Sequence, residues 1–315
     1  MSLIEKAAKR LEELRRAGFE TPSDKGEDAG TSRAFDQHAA PAPEAEPVSA
    51  ASAGLVNPAA SPTPAPAAAP QSRQVNLDLP QMASAGFVTP FASRTQLAEE
   101  FRVLKRPLIA NASGNRREPI VNGNLIMVTS ALPGEGKTFT SINLAVSIAM
   151  ELDRTVLLVD ADVARPALPK FLGLPSSPGL LDILQDGSLS LSDALLRTNI
   201  DKFSVLPSGT QHARATELLA SDEMTNFLHE LAHRYSDRIV IFDSPPLLVT
   251  TEARVLASHM GQIVFVVRAE ATLQSEVMQA LATIEACPVK LMVLNQASTT
   301  GAGGYGYRYG YRYAA

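Results

Sequence analysis

Residues 125–138 read Leu-Ile-Met-Val-Thr-Ser-Ala-Leu-Pro-Gly-Glu-Gly-Lys-Thr and constrain the chain more than any other stretch. Leu125 to Thr129 are apolar or β-branched and read as a buried strand. A Gly-containing turn follows, and a helix over Phe139–Met150 begins near Lys137. Strand, glycine-bearing loop and helix together make the context of a phosphate-binding loop. Successive backbone N–H groups of such a loop converge on phosphate oxygens, and the helix N-terminus adds partial positive charge. Pro133, Gly134, Glu135, Gly136, Lys137, Thr138 and Phe139 are the expected contacts. Lys137 reaches the β/γ-phosphates, and Thr138 holds Mg²⁺ through its hydroxyl. The usual motif opens with Gly, whereas Ala131 stands there. The competing reading is a glycine turn in an unrelated α/β protein.

Two later runs share a second pattern. Thr155-Val156-Leu157-Leu158-Val159 ends in Asp160-Ala161-Asp162, and Ile239-Val240-Ile241-Phe242 ends in Asp243-Ser244-Pro245-Pro246. An apolar run closing on a carboxylate is what a buried parallel strand looks like when its C-terminal end faces a site. Bare carboxylates brought together repel each other, and a divalent cation removes that cost. Each run alone fits a strand-to-turn Asp. A phosphate loop with two such runs is jointly specific if the three strands lie side by side. Further strands are expected at Ser204–Leu206, Ile263–Val267 and Lys290–Leu294. Helices are expected at Ser190–Arg197, Asp222–His233, Thr251–His259 and Thr272–Ala286. This alternation predicts an α/β fold, a doubly wound and mostly parallel sheet flanked by helices.

The rest of the chain divides by composition. Residues 1–19 hold Ile4, Ala7, Ala8, Leu11 and Leu14 at helical spacing among charged residues, an amphipathic helix for docking or, less well, for a membrane surface. Residues 20–92 carry eleven of the 22 prolines amid Ala, Ser and Gln, and read as a disordered linker. The phosphate-loop domain is expected over 93–298. It opens with a capping box of Ser93 and Gln96 and a helix that Pro107 should kink or end. Residues 299–315 hold five of the six tyrosines, Tyr305, Tyr307, Tyr309, Tyr311 and Tyr313, alternating with Gly and Arg in a flexible tail. Across all 315 residues the formal net charge is −5, which argues against nucleic acid as a partner. The single cysteine, Cys287, excludes an intrachain disulfide and reads as a small buried residue. No secretory signal or membrane span is legible, and a cytoplasmic location is expected.

Taken together, Ser130–Thr138, Leu157–Pro166, Ile239–Pro246 and the tyrosine tail resemble the bacterial tyrosine autokinases of polysaccharide-export loci, more narrowly those of exosortase/PEP-CTERM loci. The three segments look like that family's Walker A, A′ and B motifs. The tail separates these kinases from MinD/ParA-type ATPases, which share the loop logic. The resemblance implies ATP and Mg²⁺ as cofactors and Tyr305–Tyr313 as phosphoacceptors, modified in trans. Asp160 would accept the phenol proton, although its role could be exchanged with that of Asp162. Thr138, Asp162 and Asp243 would be the metal ligands, and Asn295 a further nucleotide contact. Glu99, Arg102 and Lys105 match a subunit-contact motif, with Lys105 where the family has Arg. Ala164 stands where the A′ motif has Arg, and Arg165 follows. The resemblance further implies a homo-oligomer, a separate membrane polysaccharide co-polymerase (chain-length determinant) that recruits the protein to the inner face of the membrane, and a cognate tyrosine phosphatase. Two other functions fit the same motifs: an ATPase switch of the MinD/ParA type, and a non-catalytic nucleotide-binding scaffold.

Overall fold

The computed structural model describes residues 73–92, 94–114, 118–234 and 237–297. They belong to one of two compact units, Pro64–Ala315; the other, Met1–Thr63, lies outside the described residues. So do the expected amphipathic helix and the tyrosine tail.

Among the described residues eight strands form one sheet: β1 (Arg73–Val75), β2 (Leu125–Ser130), β3 (Thr155–Asp160), β4 (Leu196–Thr198), β5 (Phe203–Leu206), β6 (Arg238–Asp243), β7 (Gln262–Arg268) and β8 (Val289–Asn295). Their order is β1-β4-β5-β3-β6-β2-β7-β8. All pairings are parallel except β4 with β5. The helices are α1 (Leu79–Ser84), α2 (Gln96–Ala112), α3 (Lys137–Ala149), α4 (Leu168–Leu172), α5 (Leu180–Gln185), α6 (Leu191–Ala194), α7 (Ala215–Leu219), α8 (Asp222–Arg234), α9 (Glu252–Ser258) and α10 (Gln274–Ala282). This is the expected doubly wound α/β architecture.

The two-residue period of the strands builds the two cores. Leu125, Met127, Leu157, Val159, Val240, Phe242, Ile263 and Phe265 face one layer, with Leu181, Leu228, Leu231 and Leu256. Ile126, Val128, Val156, Leu158, Ile239, Ile241, Val264 and Val266 face the other, with Leu108, Ile142, Leu144 and Ile148. Every residue of β2 is buried. Each fully buried aliphatic side chain contributes about 1.5–3 kcal/mol, so the sheet centre that carries the site is also the most strongly held part of the fold.

Four expectations are corrected. The linker does not extend through residues 73–92. β1 pairs with β4, and Asn199 bonds Leu77 in both directions, accepting from its N–H at 2.9 Å and donating to its carbonyl at 3.1 Å. Val88 N–H donates to the Asn143 side chain at 2.6 Å, and Phe87 packs on Phe139. Proline and short element length hide this segment from periodicity, yet Leu77, Leu79, Met82, Phe87 and Val88 are buried, while Phe91 stays exposed. Secondly, α2 is capped by Thr95, whose hydroxyl accepts from Ala98 N–H at 3.2 Å; Ser93 lies outside the described residues. Thirdly, of the kink or end expected at Pro107, the end does not occur: α2 runs on to Ala112. The proline removes the one N–H that would bond Val103 O, and Gln262 holds the turn that follows. Its amide donates to Leu108 O at 3.1 Å and accepts from Asn111 at 2.7 Å. Lastly, the helix expected at Ser190–Arg197 is only the single turn α6. Leu196 is taken into β4 opposite Val205, where tertiary pairing overrides helix propensity.

Candidate active site

The site lies at the C-terminal ends of β2, β3 and β6, which are adjacent because β6 is inserted between β3 and β2. The loop after β2 turns on Gly134 (φ 83°) and Gly136 (φ 97°), both in the left-handed region that side chains avoid. Ala131 is buried in the core and takes no positive φ, so the first motif position needs no glycine here. Gly136 is the N-cap of α3, placing the orphan N–H groups of its first turn at the loop. The chain after β6 keeps the loop's base in register: Leu247 N–H donates to Ser130 O at 2.9 Å, and Thr129 Oγ1 donates to Pro245 O at 2.9 Å.

Lys137, Thr138, Asp160, Asp162 and Asp243 come together as the motifs predict. Lys137 Nζ lies 3.0 Å from Asp162 Oδ2. Asp160 and Asp243 are paired residues on neighbouring strands, and both are fully buried. Burial, with the Asp243 charge beside it, pushes the Asp160 carboxyl up to about 8. Burial pushes Asp243 up to about 6, against the opposing pull of Lys137, Thr138 and Ser141. Asp160 Oδ1 and Asp243 Oδ2 are buried without a hydrogen-bond partner. Two orphaned carboxylate oxygens near the Thr138 hydroxyl are oxygen donors of the kind a hard divalent cation takes, while the Lys137 cation suits phosphate. The residues therefore fit Mg²⁺, and the glycine-turned loop fits a polyphosphate.

Other predicted residues are used differently. The Glu135 carboxylate turns back into the loop and accepts from Leu132 N–H at 2.6 Å. The Phe139 ring packs on Phe87 at 5.2 Å between centroids. Asn295 donates to Glu135 O at 2.9 Å. These three side chains support the loop from within the chain. Pro133 and Gly134 are exposed on its crown. Glu99 and Arg102 form an exposed i,i+3 ion pair on α2. Lys105 does not join them as an outward contact. It is 4% exposed, sits 2.8 Å from Glu151 Oε1 and donates to Ser147 O, capping the end of α3. Lys105 is thus turned inward where the resemblance implies a subunit contact. Tyr305 to Tyr313 lie outside the described residues.

Two participants escape the motif reading. Ser141 Oγ lies 3.0 Å from Asp243 Oδ1 and also bonds Lys137 O at 2.8 Å. Its only sequence signal is its place one helical turn after Lys137. Thr272, in the turn after β7, donates its hydroxyl to Glu135, and nothing local in the sequence points to it.

Comparisons with known proteins agree with this geometry. An AAA domain family matches residues 123–293. Tyrosine-protein kinase Ptk of Acinetobacter johnsonii is 35% identical over 182 residues, covering 57% of this chain and 24% of that protein. The chain thus spans about a quarter of that relative's length. Tyrosine-protein kinase YwqD of Bacillus subtilis is 34% identical over 184 residues, 58% of this chain and 76% of the relative. Among solved structures, the kinase domain of Escherichia coli tyrosine kinase ETK aligns with a TM-score of 0.55 and 28% identity, covering 69% of this chain and 85% of that one. The chimerical protein CapA2B2 aligns with a TM-score of 0.55 and 28% identity over 64% of this chain and 86% of its own. With its phosphate loop, two strand-end carboxylates and these relatives, the chain belongs to the bacterial tyrosine-protein kinases, within the AAA domain family.

Proposed function

We propose that the protein is an ATP-dependent protein-tyrosine autokinase that phosphorylates Tyr305, Tyr307, Tyr309, Tyr311 and Tyr313 of a neighbouring copy. The observation that carries this is the convergence of Lys137, Thr138, Asp160, Asp162 and Asp243 around two unpartnered carboxylate oxygens at one sheet edge. Family membership supports the chemistry, and the tyrosine-rich tail supplies an acceptor.

Phosphoryl transfer asks mainly for positioning and charge neutralisation. The loop amides and the α3 N-terminus hold the phosphates. Lys137 moves from Asp162 to the β/γ-phosphates, which frees Asp162. Thr138, Asp162 and Asp243 would hold Mg²⁺, which would supply charge neutralisation for the transferring phosphate. Ser141 fixes the orientation of Asp243. Asp160 would accept the phenol proton as the tyrosine oxygen bonds the γ-phosphorus and ADP leaves. A tyrosine hydroxyl has a pKa near 10, so this assistance comes late in a loose transition state. Each phosphotyrosine then carries about −1.5 to −2 charges, and several on alternate residues repel the carboxylate-rich site and release the tail.

The protein so read regulates exopolysaccharide synthesis or export. It works as a homo-oligomer at the inner face of the membrane with a membrane co-polymerase, and a tyrosine phosphatase resets it. Among the described residues no helix is long and apolar enough to cross a membrane. A mixing experiment tests the core of this reading. A Lys137→Met protein with an intact tail is incubated with Mg·ATP and an active copy truncated after Ser298. Label is expected on the tail of the Lys137→Met copy. Phosphate release with no labelled tyrosine would sink the kinase and leave an ATPase switch.

A further inference from the structure

Glu135 poses a physical question. A loop built to bind a polyanion carries a carboxylate between its two strained glycines, and that side chain is buried. Pointed at the phosphates it would repel them. Instead its Oε2 accepts from Leu132 N–H at 2.6 Å, and its Oε1 accepts from the Thr272 hydroxyl and, at 3.5 Å, from Arg268 N–H. The carboxylate therefore joins the start of the loop to the turn between β7 and α10. The same residue's main chain is also held, since its carbonyl accepts from Asn295 Nδ2 at 2.9 Å. Asn295 O in turn accepts from Ala269 N–H at 2.9 Å, which closes the ring of contacts. An alanine at Gly136 would place its Cβ 2.0 Å from Asn295 Nδ2, so the loop lies directly on this support.

We propose that Thr272 is a positioning residue for nucleotide binding, acting through Glu135. The proposal rests on the loop at 130–138 being the nucleotide site. Glycine supplies the loop's unusual dihedrals but no stiffness, because glycine visits many other conformations as easily. Stiffness has to come from side-chain bonds, and Thr272 supplies a charge-assisted one from outside the loop. The three groups that meet the carboxylate are all donors, so an acceptor-only side chain is required at position 135. Glutamine at this position would aim an NH₂ at one of those donors. Thr272 itself is half-exposed in a turn, so its hydroxyl can be removed without opening the core.

The test uses the full chain and the fluorescent probe mant-ADP with Mg²⁺, titrated against wild type, Thr272→Val, Thr272→Ser and Glu135→Gln. Thr272→Val and Glu135→Gln are each expected to weaken mant-ADP binding about tenfold, equivalent to about 1.4 kcal/mol. Thr272→Ser keeps the hydroxyl and is expected to stay within about twofold of wild type. In tail-labelling assays KM for ATP rises for Thr272→Val while kcat holds, as befits lost ground-state binding. Melting temperatures are recorded alongside. Wild-type affinity in Thr272→Val overturns the proposal. Equal losses in Thr272→Val and Thr272→Ser also overturn it, as does a fall in melting temperature with no change in affinity. If wild type binds mant-ADP but labels no tyrosine, the kinase reading fails while the binding series still decides the role of Thr272.

Discussion

Replacing Lys105 with Met separates a structural lysine from a subunit contact. Lys105 is almost wholly buried, pairs with Glu151 at 2.8 Å and caps the α3 terminus through Ser147 O. Methionine keeps the volume of the stem and removes the charge. Deleting one partner of a buried pair costs about 3–5 kcal/mol. Here the Glu151 side chain remains 30% exposed, so water takes up part of its charge and the loss falls to about 2 kcal/mol. For a domain of this size that amounts to a melting temperature lower by about 4–8 °C. The hydrogen bond from Lys105 holds the Glu151 carboxyl below its ordinary 4.5. A depressed carboxyl contributes stability above its unfolded-state pKa and loses it as pH falls through the folded one. The wild-type advantage is therefore full at pH 7 and narrows below about pH 4.5. The bond to Ser147 O persists at acid pH, so the gap does not vanish. The chain has no tryptophan, so urea unfolding is followed by far-UV circular dichroism at several protein concentrations. A gap that widens in acid, or a stability loss seen only at concentrations where the protein self-associates, would refute the argument and restore Lys105 to a subunit interface.

Two further outcomes are expected. Ser141→Ala removes the 3.0 Å bond to Asp243, and turnover at limiting Mg²⁺ should fall about tenfold while saturating Mg²⁺ recovers most of it; an unchanged Mg²⁺ dependence would remove Ser141 from the site. Cys287 is buried, its thiol is pushed up by that burial, and its Sγ contacts Met260 O and Val289 O. Ellman's reagent should therefore modify it at least about tenfold more slowly in the native protein than in urea, and equal rates would place the 287 region outside the stable core.

The fold was legible because its central strands are written in near-continuous apolar runs, and the candidate site because the β3 and β6 runs each close on a carboxylate and the β2 run on a glycine loop. Lys137, Thr138, Asp160, Asp162 and Asp243 needed only adjacency, which the parallel sheet supplies. What stayed hidden depends on contacts between distant segments. Phe87 and Val88 are buried by Phe139 and Asn143, not by a local pattern. Lys105 looks like a surface charge until α3 is packed beside it. Leu196 reads as helical until β5 offers it a strand partner. Thr272 reaches its loop across 137 residues of sequence, beyond what spacing can show.

The insertion of β6 between β3 and β2 has a consequence for synthesis on the ribosome. A nascent chain that has emerged as far as Asp160 owns a complete glycine loop and the first carboxylate. Its two strands cannot yet stand at their final spacing, because the strand that separates them is still untranslated. Ser141 and its partner Asp243 are 102 residues apart. Until the later one is released, the site lacks the carboxylate that Ser141 orients. A ligand stabilises only the states that bind it, so any stabilisation by nucleotide grows as the chain completes the site.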